Sequence, residues 1–270
     1  MVVLRLASFL KILKLGGSAI TDKTKPFSVR KDVVDSLARE VLDAKPKRLI
    51  IIHGGGSFGH PLAKKYRLVE GFKNKTQLTG FAETRRVMMM LHKIIVDTFT
   101  SHGVNVVSVP PLAFIRTRNR RISFLDKTVL SRLLGLGLTP ILFGDVVLDE
   151  KLGFTILSGD QIAAKLAVVL QAERIVLATD VDGVFTSNPK TDPNARLLRQ
   201  LSLSKLGKIV NEKSKPELSM DVTGTMIGKL KEMVPAVNRG VKVFVVNALK
   251  SGRVSQALKS SKIEGTTLKP

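Results

Sequence analysis

The chain has 270 residues, 44% of them hydrophobic, and carries 44 Lys and Arg against 22 Asp and Glu, a formal charge of +22. That length allows one large core, or one α/β unit with two lobes, and the absence of Cys excludes disulfides and thiolate metal sites. The positive field favours small phosphorylated substrates or polyanions, but the basic residues are scattered and aromatics are only 5%, so no specific nucleic-acid partner is predicted.

No apolar run reaches the roughly 18 residues that a membrane helix needs, so no membrane partner is expected. Arg5, Lys11 and Lys14 interrupt the apolar start and no cleavage site follows. A cytoplasmic protein is therefore expected, with Met1 to Phe9 as a frayed extension.

Leu10 to Leu15 reads as a short strand that stops at Gly16-Gly17-Ser18. Ser28 is expected to cap a helix carrying Val33, Val34, Leu37, Val41 and Leu42 at helical spacing. Arg48–Ile52 is a β-branched run of the kind buried on both faces of a parallel sheet. It ends at Gly54-Gly55-Gly56, with His60 just beyond and Pro61 suited to a helix start.

Residues 80–101 form a longer predicted helix, Asn105–Val109 a strand, and 116–121 a basic loop before a helix near 126–136. Pro140–Phe143 is a strand ending in Gly144-Asp145, and Phe154–Leu157 is a short hairpin strand. Ser158-Gly159-Asp160-Gln161 is a capping-box pattern opening the helix Ile162–Leu170. Arg174–Ala178 is a strand ending in Thr179-Asp180-Val181-Asp182-Gly183. A loop with Pro189 and Pro193, the segment Asp221 to Lys229, a helix through Val237 and the strand Lys242–Val246 complete the chain.

Strands alternating with helices imply a parallel sheet with helices on both faces. Ligands collect at the carboxyl ends of such strands, and there the sequence places Lys14 to Ser18, His53 to His60, Gly144-Asp145 and Ala178 to Gly183. Backbone N–H groups at a glycine turn before a helix make an anion site.

Residues 53–60 also fit the dinucleotide pattern GxGxxG and the hydrolase elbow GxSxG. The hydrolase reading fails because no histidine follows the acid-bearing second half. Two glycine loops, several lysines and a few aspartates without a Walker A sequence point to phosphoryl transfer.

The motifs Lys14 to Ser18, His53 to Gly56, Ser158 to Asp160, Thr179 to Gly183 and Asp221 to Lys229, in that order, resemble the amino acid kinase superfamily. Within it, Lys14 to Lys23 and the segment ending at His60 are most similar to the isopentenyl phosphate kinases. The chain departs from the family pattern at Thr225, where a second glycine is usual.

The resemblance implies a three-layer αβα sandwich with a central, mostly parallel sheet. It implies an acceptor lobe over residues 1–170 and an ATP lobe over 171–270, sharing one continuous sheet. It further implies ATP-dependent phosphorylation of isopentenyl phosphate to the diphosphate, with ATP and Mg2+ as cofactors and a homodimer as the assembly. A kinase for another small phosphate, phosphonate or carboxylate is the first alternative. A non-catalytic basic nucleotide- or RNA-binding module is the second.

By the same resemblance Lys14, Lys23, His60, Asp160 and Lys229 do the chemistry. Lys14, Leu15, Gly16, Gly17, Ser18, Gly56, Thr179, Asp180, Gly224 and Lys229 bind ATP, while Gly55, His60 and Gly159 bind the acceptor. No protein ligand to a metal is assigned. His60 is expected to donate to a phosphate oxygen, most strongly as imidazolium. Of the other histidines, His53 reads as buried and structural, and His92 and His102 as surface residues. Phe81, Met88, Met89 and Leu91 are candidates to line an apolar pocket for the acceptor's tail.

Overall fold

The computed structural model describes residues 9–187, 189, 191–212 and 224–270. The chain opens with β1 (Leu10–Leu15), α1 (Gly17–Ile20), α2 (Lys31–Ala44), β2 (Arg48–His53), α3 (Gly56–Lys65) and α4 (Thr76–Ser101). There follow β3 (Val106–Ser108), β4 (Ile115–Arg118), β5 (Arg121–Leu125), α5 (Thr128–Gly135), β6 (Thr139–Phe143), β7 (Asp145–Asp149), β8 (Gly153–Leu157) and α6 (Gly159–Val169). The last third holds β9 (Arg174–Thr179), β10 (Val184–Phe185), β11 (Leu197–Leu198), β12 (Gln200–Ser202) and α7 (Leu203–Glu212). It closes with α8 (Gly224–Val237), β13 (Lys242–Asn247), α9 (Arg253–Lys259) and β14 (Thr266–Lys269).

Among the described residues, eight strands form one sheet in the order β12-β14-β13-β9-β1-β2-β6-β3. Every pairing in it is parallel except β13 with β14. Alternate side chains of its central strands enter two separate cores, as the two-residue period of a strand requires. Ile12, Ile50, Ile52, Ile175, Leu177 and Val243 pack with α5, α6, α7 and α8. Leu13, Leu15, Ile51, Val176, Phe244 and Val246 pack with α1, α2, α3, α4 and α9. The result is the expected three-layer αβα sandwich. A second sheet, β5-β4-β7-β8, stands beside α4.

Strand register brings the ligand-facing turns to one edge. Leu15 pairs with both His53 and Ala178, His53 with Phe143, and Thr179 with Asn247. The chain therefore leaves β1, β2, β6 and β9 at one level.

Several local expectations change. Helix α2 starts at Lys31 after an N-cap at Arg30, so Ser28 is not its cap. Ser28 instead exchanges hydrogen bonds with the Ser57 hydroxyl, linking this loop to α3. Pro61 lies inside α3 instead of at its start. Its missing N–H leaves the Ser57 carbonyl without a helical donor, and Phe27 N–H reaches that oxygen at 3.5 Å.

The basic stretch 116–121 is the hairpin β4–β5, turned at Asn119 and Arg120 with φ of 48° and 66°. Asp149 holds that turn, accepting from Asn119 N–H and Arg120 N–H. Strand β7 begins directly at Asp145, where the sequence suggested only a strand end. Ser158 caps α6, accepting from Gln161 N–H at 3.1 Å. The Gln161 side chain, however, turns to Ile122 N–H and the Arg120 carbonyl and so pins the hairpin, leaving the capping box half made.

Candidate active site

Lys14 has the same strand parity as Leu10 and Ile12, so its side chain points to the α6 layer. There Lys14 Nζ meets Asp160 Oδ1 at 2.7 Å, with only 5% and 13% of the two side chains exposed. Asp160 sits in the first turn of α6, where the helix dipole also favours a carboxylate. Lys229, on α8, approaches the other oxygen of Asp160 at 3.8 Å. Two cations thus share one carboxylate.

Charge balance follows from this count. Burial opposes ionisation of Asp160, but Lys14 and Lys229 outweigh it and hold its pKa below the usual carboxylate value. Burial, then the Lys14 charge, lowers the pKa of Lys229, with Asp160 acting the other way. The cluster keeps a surplus positive charge facing a cavity of about 300 Å³.

The two glycine turns close on each other at the floor of this cavity. A Cβ on Gly17 would stand 2.4 Å from Gly56 N, and one on Gly56 (φ +48°) would stand 2.0 Å from Thr21 Oγ1. These glycines are therefore required for backbone-to-backbone contact, before any ligand is considered. Thr21 ties the turns together, donating to the Gly17 carbonyl and accepting from Ser57 N–H.

All five residues expected to do chemistry, Lys14, Lys23, His60, Asp160 and Lys229, line the cavity. So do Gly17, Ser18, Gly55, Gly159, Thr179 and Asp180. Ser18 Oγ donates to Asp180 at 2.9 Å, linking the first glycine turn to the end of β9. Three expected ATP contacts stand back from it. Leu15 is fully buried in the core beside α1 and α2. Gly16 N–H is spent on the Ala178 carbonyl at 2.8 Å. Gly56 packs against Thr21 as described. Gly224 opens α8, whereas Asp221, Val222 and Thr223 lie outside the described residues.

His60 lies one turn into α3 and faces the cavity. Surrounding protein, then Lys229, Lys14 and Lys23, push its pKa down. The same lysines oppose the imidazolium form, in which His60 would donate most strongly; the neutral ring also offers one N–H donor.

The tail-pocket candidates separate. Met88 lines the cavity, and its sulfur packs so closely over Gly59 that a Cβ there would stand 2.7 Å away. Leu91 is buried in the core facing α2, Met89 and Met90 are exposed at 37% and 46%, and Phe81 meets Phe154 edge to face. The cavity is also lined by Thr84, Asp145, Ile156, Phe185 and Met226, none of which was assigned a role from the sequence. Two of them stood in noted motifs, Asp145 at the end of the predicted strand Pro140–Phe143 and Met226 in the segment Asp221 to Lys229.

His53 is buried as expected, but His92 is 2% exposed, not a surface residue. It faces His53 at 3.0 Å. His102 is half-buried and paired with Asp35.

A surplus of lysine charge, two apposed glycine turns and a helix start at the carboxyl edge of a parallel sheet define a site for phosphate-bearing ligands. The model of the amino acid kinase family matches residues 10–247, and the chain belongs to that family. It is 40% identical to an isopentenyl phosphate kinase of Methanothermobacter thermautotrophicus, over 95% of this chain and 98% of that protein. It is 36% identical to an isopentenyl phosphate kinase of Methanocaldococcus jannaschii, over 96% of this chain and 98% of that one. Among solved structures, one of isopentenyl phosphate kinase matches with a TM-score of 0.84 and 36% identity, covering 96% of this chain and 99% of its own. A substrate complex of isopentenyl phosphate kinase matches at 0.78 and 31%, over 96% of this chain and all of that one.

Proposed function

We propose that this protein transfers the γ-phosphoryl group of ATP to isopentenyl phosphate, giving isopentenyl diphosphate and ADP. The observation that carries the reading is the Lys14–Asp160–Lys229 cluster, whose surplus charge faces the cavity between the glycine turns. The identity to isopentenyl phosphate kinases over nearly the whole chain supports the choice of acceptor.

The cavity wall draws on both parts of the chain, with Lys14, Gly17 and Ser18 of residues 1–170 assigned to the nucleotide. Gly55, His60, Met88 and Ile156 come from residues 1–170, and Thr179, Asp180, Phe185 and Met226 from 171–270. The first set forms the acceptor lobe and the second the nucleotide lobe.

A phosphate monoester, with a second pKa near ~6, is already an anionic nucleophile at neutral pH. One of its oxygens attacks the γ-phosphorus as the bond to the β,γ-bridging oxygen of ATP breaks, and ADP leaves. No protein base is needed. The barrier is the approach of two anions, and transfer through a loose transition state is helped chiefly by positioning and charge. Lys14 and Lys229 flank the transferred group, held by Asp160, and Lys23 reaches it from an exposed loop. Gly55 N–H and His60 hold the non-attacking acceptor oxygens, Gly159 borders them, and Met88 and Ile156 face the apolar tail.

Oxygen donors near the nucleotide side include Ser18 and Asp180, because Asp160 is committed to lysines. That set fits a Mg2+ ion carried on ATP phosphates and reached by Ser18 and Asp180, directly or through water. When bound, the ion would neutralise phosphate charge.

The proposal includes a cytoplasmic homodimer. The apolar surface of Met89 and Met90 on α4, beside the edge strand β3, supports a second copy there. No helix among the described residues is long and apolar enough to cross a membrane.

A coupled ADP-release assay over a panel of small phosphates and carboxylates tests the activity. Isopentenyl phosphate should give the highest kcat/KM. A carboxylate preferred over every phosphate would replace this reading by the carboxylate-kinase alternative.

A further inference from the structure

His53 has the parity of Leu49 and Ile51, so it points away from Lys14, into the α4 layer. Its Nδ1 lies 3.1 Å from the carbonyl of Gly54, and its Nε2 lies 3.0 Å from Nδ1 of His92. His92 Nε2 is 2.7 Å from the hydroxyl of Ser108 on the edge strand β3. Phe143 packs against both rings.

The direction of this chain is fixed by its first member. A carbonyl only accepts, so His53 Nδ1 carries the proton and its Nε2 is a lone pair. That lone pair accepts from His92 Nδ1–H, and His92 Nε2 then accepts from Ser108 O–H. Both rings are neutral: burial holds His53 at about 3 and His92 at about 4, each well below the ordinary histidine value. Two apolar side chains would fill the same space without the cost of desolvating polar rings. They could not hold a carbonyl.

The Gly54 carbonyl matters because of the peptide it belongs to. A trans peptide points its N–H opposite its C=O, so a carbonyl turned into the α4 layer turns Gly55 N–H the other way. Among the described residues nothing accepts that N–H, although Gly55 is buried and lines the cavity. Buried backbone donors are almost always paired.

We propose that His53, His92 and Ser108 are positioning residues that lock the Gly54–Gly55 peptide, so that Gly55 N–H is presented to the acceptor's phosphate. This rests on the reading of the cavity as a phosphate-acceptor site. The side chains of this relay run from the acceptor loop to the sheet edge, bonding to Gly54, to each other and to Ser108.

The test uses the full-length protein with His92→Leu, which removes the donor to His53, and His92→Asn, whose amide N–H stands where Nδ1–H was. His92→Leu should raise KM for the phosphate acceptor roughly tenfold and lower kcat, with KM for ATP unchanged, as loss of one oriented hydrogen bond predicts. His92→Asn should return acceptor KM to within about threefold of wild type. Should His92→Leu not fold, Ser108→Ala on the exposed edge removes the last donor and should raise acceptor KM about two- to threefold. Long-range proton–nitrogen NMR of the wild type should show His53 protonated at Nδ1. Acceptor KM unmoved in both variants, ATP and acceptor KM moving together, or His53 protonated at Nε2 would overturn the relay. A wild-type protein that turns over no phosphate acceptor would instead sink the functional reading, and this role with it.

Discussion

Two buried carboxylates line the same cavity and behave in opposite ways. Asp160 is shared by two lysines, and their charge holds its pKa below the usual value despite burial. Asp145 pairs with Arg85 alone, its side chain fully buried. There burial prevails over Arg85 and the backbone donors, and the pKa is raised. The first cluster has surplus positive charge and faces the phosphates. The second is self-neutralised, and it ties α4 to β7 with Arg85 lying over the Phe143 ring. An ion pair on a cavity wall is not by itself a functional sign; the charge left over after pairing is what separates the two.

The largest expected effect breaks the first cluster. Lys229→Ala should lower kcat by about three decades, corresponding to about 4 kcal/mol of lost transition-state stabilisation, with little change in melting. Turnover near wild type would remove Lys229 from the chemistry. The matching break at the second cluster should act on stability. Arg85→Met leaves Asp145 buried and unpaired, at a cost of about 3–5 kcal/mol in denaturant unfolding, while the folded fraction keeps kcat within about threefold. Adding Asp145→Leu should recover most of that loss. If Arg85→Met spared stability and abolished turnover, the two clusters would have to exchange roles.

Smaller effects sharpen the division along the cavity. His60→Ala should raise acceptor KM roughly tenfold, as one hydrogen bond to a charged oxygen predicts, and leave KM for ATP unchanged. His60→Gln should recover part of it. Met88→Ala should shift preference toward longer prenyl phosphates; an unchanged chain-length profile would place the tail elsewhere.

The smallest effect is in titration. Carboxyl NMR should place Asp160 below and Asp145 above the ordinary Asp value of ~3.9. The signs for stability are then opposite. Asp160 contributes stability above the unfolded pKa, lost as pH falls through its lower folded value. Asp145 holds its proton longer when folded, so its contribution declines as pH rises from ~3.9 through its raised value. Shifts of the same sign would contradict the charge count.

Much of the sheet was legible because its central strands are apolar runs closed by glycine, as at Leu10–Leu15, Arg48–His53 and Thr139–Phe143. The same punctuation marked Lys14 and the two glycine turns. The hairpin β4–β5 was read as a loop because it exposes Arg116 and Arg118 alternately with buried Ile115 and Thr117, a pattern that short basic segments disguise. His92 was misplaced because a helix residue's surroundings depend on which face another element covers. Nothing local to His92 announces His53, 39 residues earlier. Likewise Met88, Met89 and Met90 look alike in sequence, and only packing of α4 on α3 sends Met88 inward. Asp145 and Arg85 find each other across 60 residues, a separation no periodicity reports.

The most direct test follows a labelled phosphoryl group. Wild-type protein and Lys14→Ala, matched for melting temperature, are each mixed in a single turnover with γ-labelled ATP and isopentenyl phosphate. The wild type should carry the label into the terminal phosphate of isopentenyl diphosphate, and Lys14→Ala should do so at least about a thousandfold more slowly. Label transfer at a wild-type rate in Lys14→Ala, or transfer to water alone in the wild type, would contradict the assignment of the lysine cluster to phosphoryl transfer.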